Sequence, residues 1–276
     1  MNRKIIRIFL VALAVVVIAG GLGLSRRYTV PILMYHHIAV NSDERVDTVS
    51  PETFAAQMAY LHQHHYHVVT IDEYVAALLE KRSLPRKSVV ITFDDAYEDN
   101  YSNAFPILKK YNFPWMLFIP SDFIGTPEYL SVGQIKEMMR HGMKVGSHSR
   151  RHAYLPDVID PVRLEDEIVQ SKRILEETLG VRVNIFSYPV GGFNDAIIGD
   201  LQKAGYTAAV TTNRGDFRNK NRWALTRIKV KDSDVNWKFG VKLSGFYNIV
   251  RTPKEPTALM CPHSSDSHSH ALPVTE

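Results

Sequence analysis

A single cysteine, Cys261, stands among 276 residues, which excludes an internal disulfide framework and argues neither for nor against export. Charge of one sign is lacking too. The chain has 33 basic and 29 acidic residues, a net charge of +4, and the basic residues are scattered rather than striped. That is not the footprint of a nucleic-acid-binding protein, so no nucleic-acid partner is expected. A mildly basic surface tolerates an anionic polymer without requiring one. No segment repeats at a short fixed period, which excludes a solenoid. With 45% apolar residues, the chain has ample material for a globular core.

One long apolar run stands at the N-terminus. Ile5 to Leu24 is apolar apart from Arg7, follows the basic leader Met1–Lys4, and is about long enough to cross a bilayer. It exceeds the roughly 7–15 apolar residues of a signal peptide, and no convincing A-x-A cleavage site precedes Arg26. No cysteine near its end offers a site for lipid attachment. Residues 1–27 are therefore expected to be a retained membrane anchor, with a cleaved signal as the alternative. The N-terminus would lie inside and the domain outside the cytoplasmic membrane, although Arg26-Arg27 pull against that orientation. Residues 251–276, rich in Pro, Ser and His without a periodic apolar face, are expected to be disordered. One domain remains, residues 28–250.

Within it, short apolar runs alternate with amphipathic stretches. Strands are expected at Val30–Tyr35, Val89–Phe93, Trp115–Ile119, Lys144–Ser147, Ile185–Tyr188, Ala208–Thr211 and Leu225–Val230. Ser50-Pro51 reads as an N-cap and first helical residue, with Phe54, Met58 and Leu61 on one face. A helix from Pro161 to Leu179 carries Leu164, Ile168, Ile174 and Leu175 and stops at Gly180; Asn194 or Asp195 caps Ala196–Ala204 before Gly205. Seven strand–helix units point to an α/β fold, a distorted (β/α)7 barrel.

Two motifs carry chemistry. Asp94-Asp95 ends a β-branched strand, and His148 with His152 follows another, so both sit where α/β barrels gather catalytic groups. One carboxylate and two imidazoles make a facial ligand set for a divalent metal. The other carboxylate is left over as a general base. Alternation along a strand sends neighbouring side chains to opposite faces, so a turn must re-aim one of the two aspartates.

TFDD followed by HSRRH resembles the first two motifs of the polysaccharide deacetylases, the NodB-homology or family 4 carbohydrate esterases. PILMYHHI and FSYPVGG are similar to the branch containing poly-β-1,6-N-acetylglucosamine deacetylases, and the resemblance runs from Thr29 to Tyr247. It implies the barrel fold and removal of acetyl groups from an acetylated polysaccharide with a bound divalent metal, zinc first and cobalt or nickel as alternatives. It also implies Asp94 as base, Asp95, His148 and His152 as metal ligands, and Ser149 in hydrogen-bonded support. The acid matches a Tyr-His motif at His36, with His37 as rival. Tyr188, Pro189 and Val190 match a substrate-binding third motif, where a backbone N–H could form part of an oxyanion hole. The family's usual arginine in that motif is replaced by Ser187, and Arg227 is the candidate to supply its charge from the last strand. Ala96 stands where glycine commonly follows TFDD, which matters if that backbone needs φ > 0.

Other groups read as ordinary structure. His62, His64, His65 and His67 form a solvated helix end, and His263, His268 and His270 belong to the tail. Trp115, Met116 and Phe118 read as core, while Tyr97, Tyr101, Tyr129 and Tyr154 lie near the site and could line a glycan groove. An N-deacetylase of N-acetylglucosamine polymers is the leading expectation. An O-acetyl esterase acting on xylan-like glycans, a catalytically silent glycan-binding protein and a structural membrane protein are the competitors. Oligomeric state is not readable.

Overall fold

The computed structural model describes residues 29–40, 47–213 and 221–247. The expected anchor and tail lie outside the described residues. Among those described, no helix is long and apolar enough to cross a membrane.

Eleven strands are described: β1 (Ile32–Tyr35), β2 (His37–Ile38), β3 (Thr48–Val49), β4 (His67–Val68), β5 (Ser88–Phe93), β6 (Trp115–Ile119), β7 (Met143–Ser147), β8 (Ile185–Ser187), β9 (Ala208–Thr211), β10 (Leu225–Thr226) and β11 (Ile228–Lys229). The main sheet runs β10-β9-β8-β7-β6-β5-β1-β11, with every pairing parallel. β10 and β11 are halves of one segment parted only at Arg227. Leu225 pairs with Val210 of β9, and Ile228 pairs with Leu33 of β1, so this segment nearly closes the ring. The expected single strand over Leu225–Val230 is thus broken where it changes partner. Counted as one stave, it makes seven.

The residues sort by strand alternation. Ile32, Val90, Met116, Phe118, Ile185, Ala208, Val210 and Leu225 pack together in one buried cluster, while Leu33, Tyr35, Ile91, Phe93, Leu117 and Phe186 join the larger cluster shared with the helices. Burial on both faces explains why these runs read as nearly continuous apolar sequence. Trp115, Met116 and Phe118 are core, as expected.

The helices follow their caps. Ser50 Oγ accepts the Thr53 N–H ahead of the helix Pro51–Gln63, whose Phe54, Met58 and Leu61 are buried. Asn194, not Asp195, caps Asp195–Lys203 by accepting the Ile197 N–H at 2.9 Å. The helix expected over Pro161 to Leu179 is interrupted. Pro161–Glu165 and Ser171–Leu179 are α-helical, and Asp166–Gln170 between them is a π turn. Left-handed Gly180 ends it. Three short strands were not anticipated: β2 pairs with β3, and β4 with β5.

Candidate active site

The C-terminal strand ends bring His36, Asp94, Asp95 and His148 into one cluster. Asp94 continues the alternation of Val90 and Thr92 and is 1% exposed, its N–H donating to Tyr35 O at 3.0 Å. The next side chain should point away. Instead the backbone turns left-handed at Asp95 (φ 73°) and Ala96 (φ 63°), which brings Asp95 back toward the same cluster. Ala96 therefore does occupy a conformation that glycine would adopt more easily. Left-handed residues recur at Ser149 (φ 63°), His152 (φ 57°) and Val190 (φ 58°), strain of the kind that gathers at functional sites.

His148 follows β7, and its Nδ1 lies 2.8 Å from the Ser187 carbonyl oxygen. A carbonyl only accepts, so Nδ1 carries the hydrogen and Nε2 is left with its lone pair turned to Asp95, whose Oδ1 lies 3.4 Å away. His152 Nε2 lies 3.3 Å from the same oxygen. Asp95, His148 and His152 each offer one ligand atom, all within 4.8 Å of one another, and form the only such group among the described residues. Asp95 Oδ1 is buried without a hydrogen-bond partner. A buried, unpaired carboxylate oxygen between two imidazole nitrogens is the donor set that a divalent cation completes, so the residues fit a metal.

Arg227 meets Asp94 in the interior. Nη1 and Nη2 donate to Oδ1 and Oδ2 at 2.7 and 2.6 Å, a two-pronged ion pair. The remaining guanidinium hydrogens go to Thr92 Oγ1 (3.3 Å), Ser187 Oγ (3.0 Å) and Thr211 O (3.3 Å), which satisfies all five. Ser187, at the position where the family resemblance implies an arginine, accepts one of these hydrogen bonds.

His36 and His37 separate cleanly. His36 shares the alternation of Ile32, and its Nε2 lies 3.9 Å from Asp94 Oδ2. His37 faces the other way, with Nδ1 2.7 Å from Asp99 Oδ2 and its ring stacked on Tyr97 at 3.6 Å.

The electrostatics follow from crowding in a buried place. Burial alone would raise the Asp94 carboxyl, but Arg227, then His148 and His36, outweigh it and hold it below its ordinary value. Burial is likewise overcome at Asp95, which is held far down by the adjacent His148 ring and by His152 and His36. His148 is raised because Asp94 and Asp95 outweigh its desolvation. Burial lowers His36 against the pull of Asp95 and Asp94. His152 is lowered by burial and by His148.

Two expectations need correction. Ser149 Oγ is buried with no hydrogen-bond partner; its carbonyl does the anchoring, accepting from Ser121 N–H at 3.2 Å and Ser171 Oγ at 2.8 Å. The Tyr188 ring is fully buried, stacked on Phe193, and its hydroxyl donates to Trp223 O at 2.9 Å, so it is turned away from any substrate. Pro189 is buried, while Val190 is 50% exposed. Within this turn, Tyr188 N–H goes to Val210 O, Gly191 N–H to Tyr188 O, and Pro189 has none. Val190 N–H is the turn's remaining donor ahead of Gly192. Among the tyrosines, Tyr97 and Tyr129 stack beside Asp95, Tyr154 lies against Gly192, and Tyr101 turns aside to Glu137. Among the described residues, His62, His64, His65 and His67 belong to no metal-type group.

Glu167 went unnoticed in the sequence. It is buried and accepts the N–H groups of Arg150 and Arg151, the two residues before His152. Its only local signal is an acidic residue in register with the buried stripe Leu175 and Leu179.

A parallel α/β barrel with a charge-clamped carboxylate beside an Asp–His–His cluster that could hold a metal ion defines a barrel hydrolase. The polysaccharide deacetylase family model matches residues 81–209. YxkH of Bacillus subtilis, to which that family is attributed, is 35% identical over 211 residues, covering 76% of this chain and 74% of that one. The poly-beta-1,6-N-acetyl-D-glucosamine N-deacetylase of Staphylococcus epidermidis is 30% identical over 57% of this chain and 59% of its own length. The Streptococcus pyogenes deacetylase PplD, solved in complex with acetate, superposes with a TM-score of 0.73 at 29% identity, covering 78% of this chain and 97% of that one. The chain belongs to the polysaccharide deacetylase family, and it is a hydrolase.

Proposed function

We propose that the chain removes N-acetyl groups from an N-acetylglucosamine-containing polysaccharide and releases acetate. Asp95, His148 and His152 would hold a divalent ion, zinc first and cobalt or nickel as alternatives. Such an ion polarises the acetyl carbonyl and makes water a stronger acid.

The chain's own groups do the rest. Asp94, kept ionised by Arg227, takes the proton of the attacking water. As the carbonyl carbon becomes tetrahedral, Val190 N–H donates to the developing oxyanion. The C–N bond breaks as His36, whose Nε2 lies 3.9 Å from Asp94 Oδ2, delivers a proton to the departing nitrogen, which leaves as an amine. The Ile5–Leu24 run would hold this domain at the outer side of the cytoplasmic membrane. The observation that carries the reading is Asp95 Oδ1, buried and unpaired within 3.4 Å of two imidazole nitrogens, beside an aspartate already claimed by arginine.

The test is acetate release from N-acetylated and O-acetylated glycans, before and after chelation and with Zn²⁺, Co²⁺ or Ni²⁺ restored. Metal-dependent release from the N-acetylated polymer is expected. Release from the O-acetylated glycan alone would make the chain an ester deacetylase, and activity indifferent to chelation would reject the metal.

A further inference from the structure

The helical segment behind the His148–His152 loop carries two polar side chains in a stripe that ordinarily would be apolar. Glu167, Ser171, Leu175 and Leu179 recur every fourth residue, and all four are buried. Both polar members reach the loop. Ser171 Oγ donates to Ser149 O at 2.8 Å. Glu167 Oε2 accepts the N–H of Arg150 at 2.9 Å and that of Arg151 at 2.8 Å, while Oε1 lies 2.9 Å from Arg151 Nε. The π turn Asp166–Gln170 places Glu167 there, and such turns are frequent at functional sites.

The other side of the loop is held as well. Ser121 N–H and Asp122 N–H donate to the carbonyls of Ser149 and Arg150 at 3.2 and 3.0 Å. This matters because the loop must keep Ser149 and His152 left-handed, conformations that non-glycine residues leave when released. His148 is pinned through its own ring by Ser187 O. His152 has a ring 33% exposed, so its placement depends more heavily on the backbone that delivers it.

We propose that Glu167 is a positioning residue for His152. By clamping the two peptide N–H groups immediately before that histidine, it holds the ring's Nε2 within reach of Asp95 Oδ1. The carboxylate touches neither substrate nor reacting atoms. The inference rests on reading Asp95, His148 and His152 as a metal site.

The experiment titrates the full-length metal-free chain with Co²⁺ against a competing chelator and records the absorption spectrum of the bound ion. Thermal unfolding of each metal-free variant is followed in parallel. Glu167→Leu, which fills the space but accepts nothing, should weaken Co²⁺ binding about 10–100-fold and shift the spectrum toward that of His152→Ala. Glu167→Asp keeps the charge but withdraws the oxygens by one methylene, and should weaken binding severalfold; it decides the matter if the leucine variant unfolds. Glu167→Gln retains an oxygen able to accept both N–H groups but turns an NH2 toward Arg151 Nε, and should weaken binding less than Glu167→Leu. A folded Glu167→Leu or Glu167→Asp variant with wild-type affinity and an unchanged spectrum would overturn the proposal. If the wild-type chain takes up no Co²⁺, the metal reading itself falls and this inference with it.

Discussion

Replacing Arg227 with methionine tests the interior of the site most sharply. Asp94 is 1% exposed and both of its oxygens are bound by the guanidinium. Its next ionisable neighbours, His36 and His148, stand 3.9 Å away. Unit charges about 4 Å apart attract by about 4 kcal/mol at an effective dielectric of about 20. Removing one partner of a buried pair typically costs about 3–5 kcal/mol, because the other charge is stranded. Arg227→Met should therefore lower unfolding stability by about that much, a large share of the roughly 5–15 kcal/mol available to a domain.

The sign with pH is settled by Asp94. Its carboxyl lies below its ordinary value in the folded chain, so the pair's stabilisation is complete above the unfolded-chain value of about 4 and is lost as pH falls through the lower native one. Urea unfolding at pH 7 thus reads the whole effect. Arg227→Lys, which keeps the charge but not the fork, should cost less. Combining Arg227→Met with Asp94→Asn should recover about 1–3 kcal/mol relative to the sum of the single changes. A cost for Arg227→Met below about 1 kcal/mol, or strict additivity in the double variant, would refute this account.

Three further outcomes follow from the geometry. Asp94→Asn should retain metal, measured by elemental analysis, while losing about 10²–10⁴-fold in kcat, whereas Asp95→Ala and His148→Ala should lose the metal itself; metal loss in Asp94→Asn would exchange the two aspartates' roles. His36→Ala should slow amide hydrolysis about 10²–10⁴-fold and hydrolysis of an activated acetyl ester much less, with His37→Ala the milder variant on both; equal losses for the two histidines would mean the acid has been misassigned. Val190→Gly relieves a left-handed β-branched residue whose side chain is half exposed and leaves the backbone donor in place, so acetate release should stay within a few-fold of wild type. A collapse of that activity would show that the valine side chain, not its N–H, is used.

The periodic part of the molecule was readable because strands and helices are encoded over a few neighbouring residues. Trp115–Ile119 and Ala208–Thr211 form at their expected bounds, Ser50 and Asn194 cap as read, and Gly180 stops its helix. TFDD and HSRRH likewise stand at strand ends. The π turn at Asp166–Gln170 escaped notice because a one-residue insertion barely disturbs an apolar stripe.

By itself, then, the sequence determined the seven-stave alternation and the kinds of side chain delivered to the strand ends. Tertiary structure alone decided which of them meet. His36 rather than His37 faces Asp94 because Asp99 holds His37 on the other side. Arg227 reaches Asp94 across a separation of 133 residues, because the last segment joins β9 to β1 and so aims its middle residue inward. Glu167 acquires a role only when its helix is laid behind the histidine loop. Each of these contacts is made by closing a ring of staves, and a ring's closure is written in no single stretch of chain.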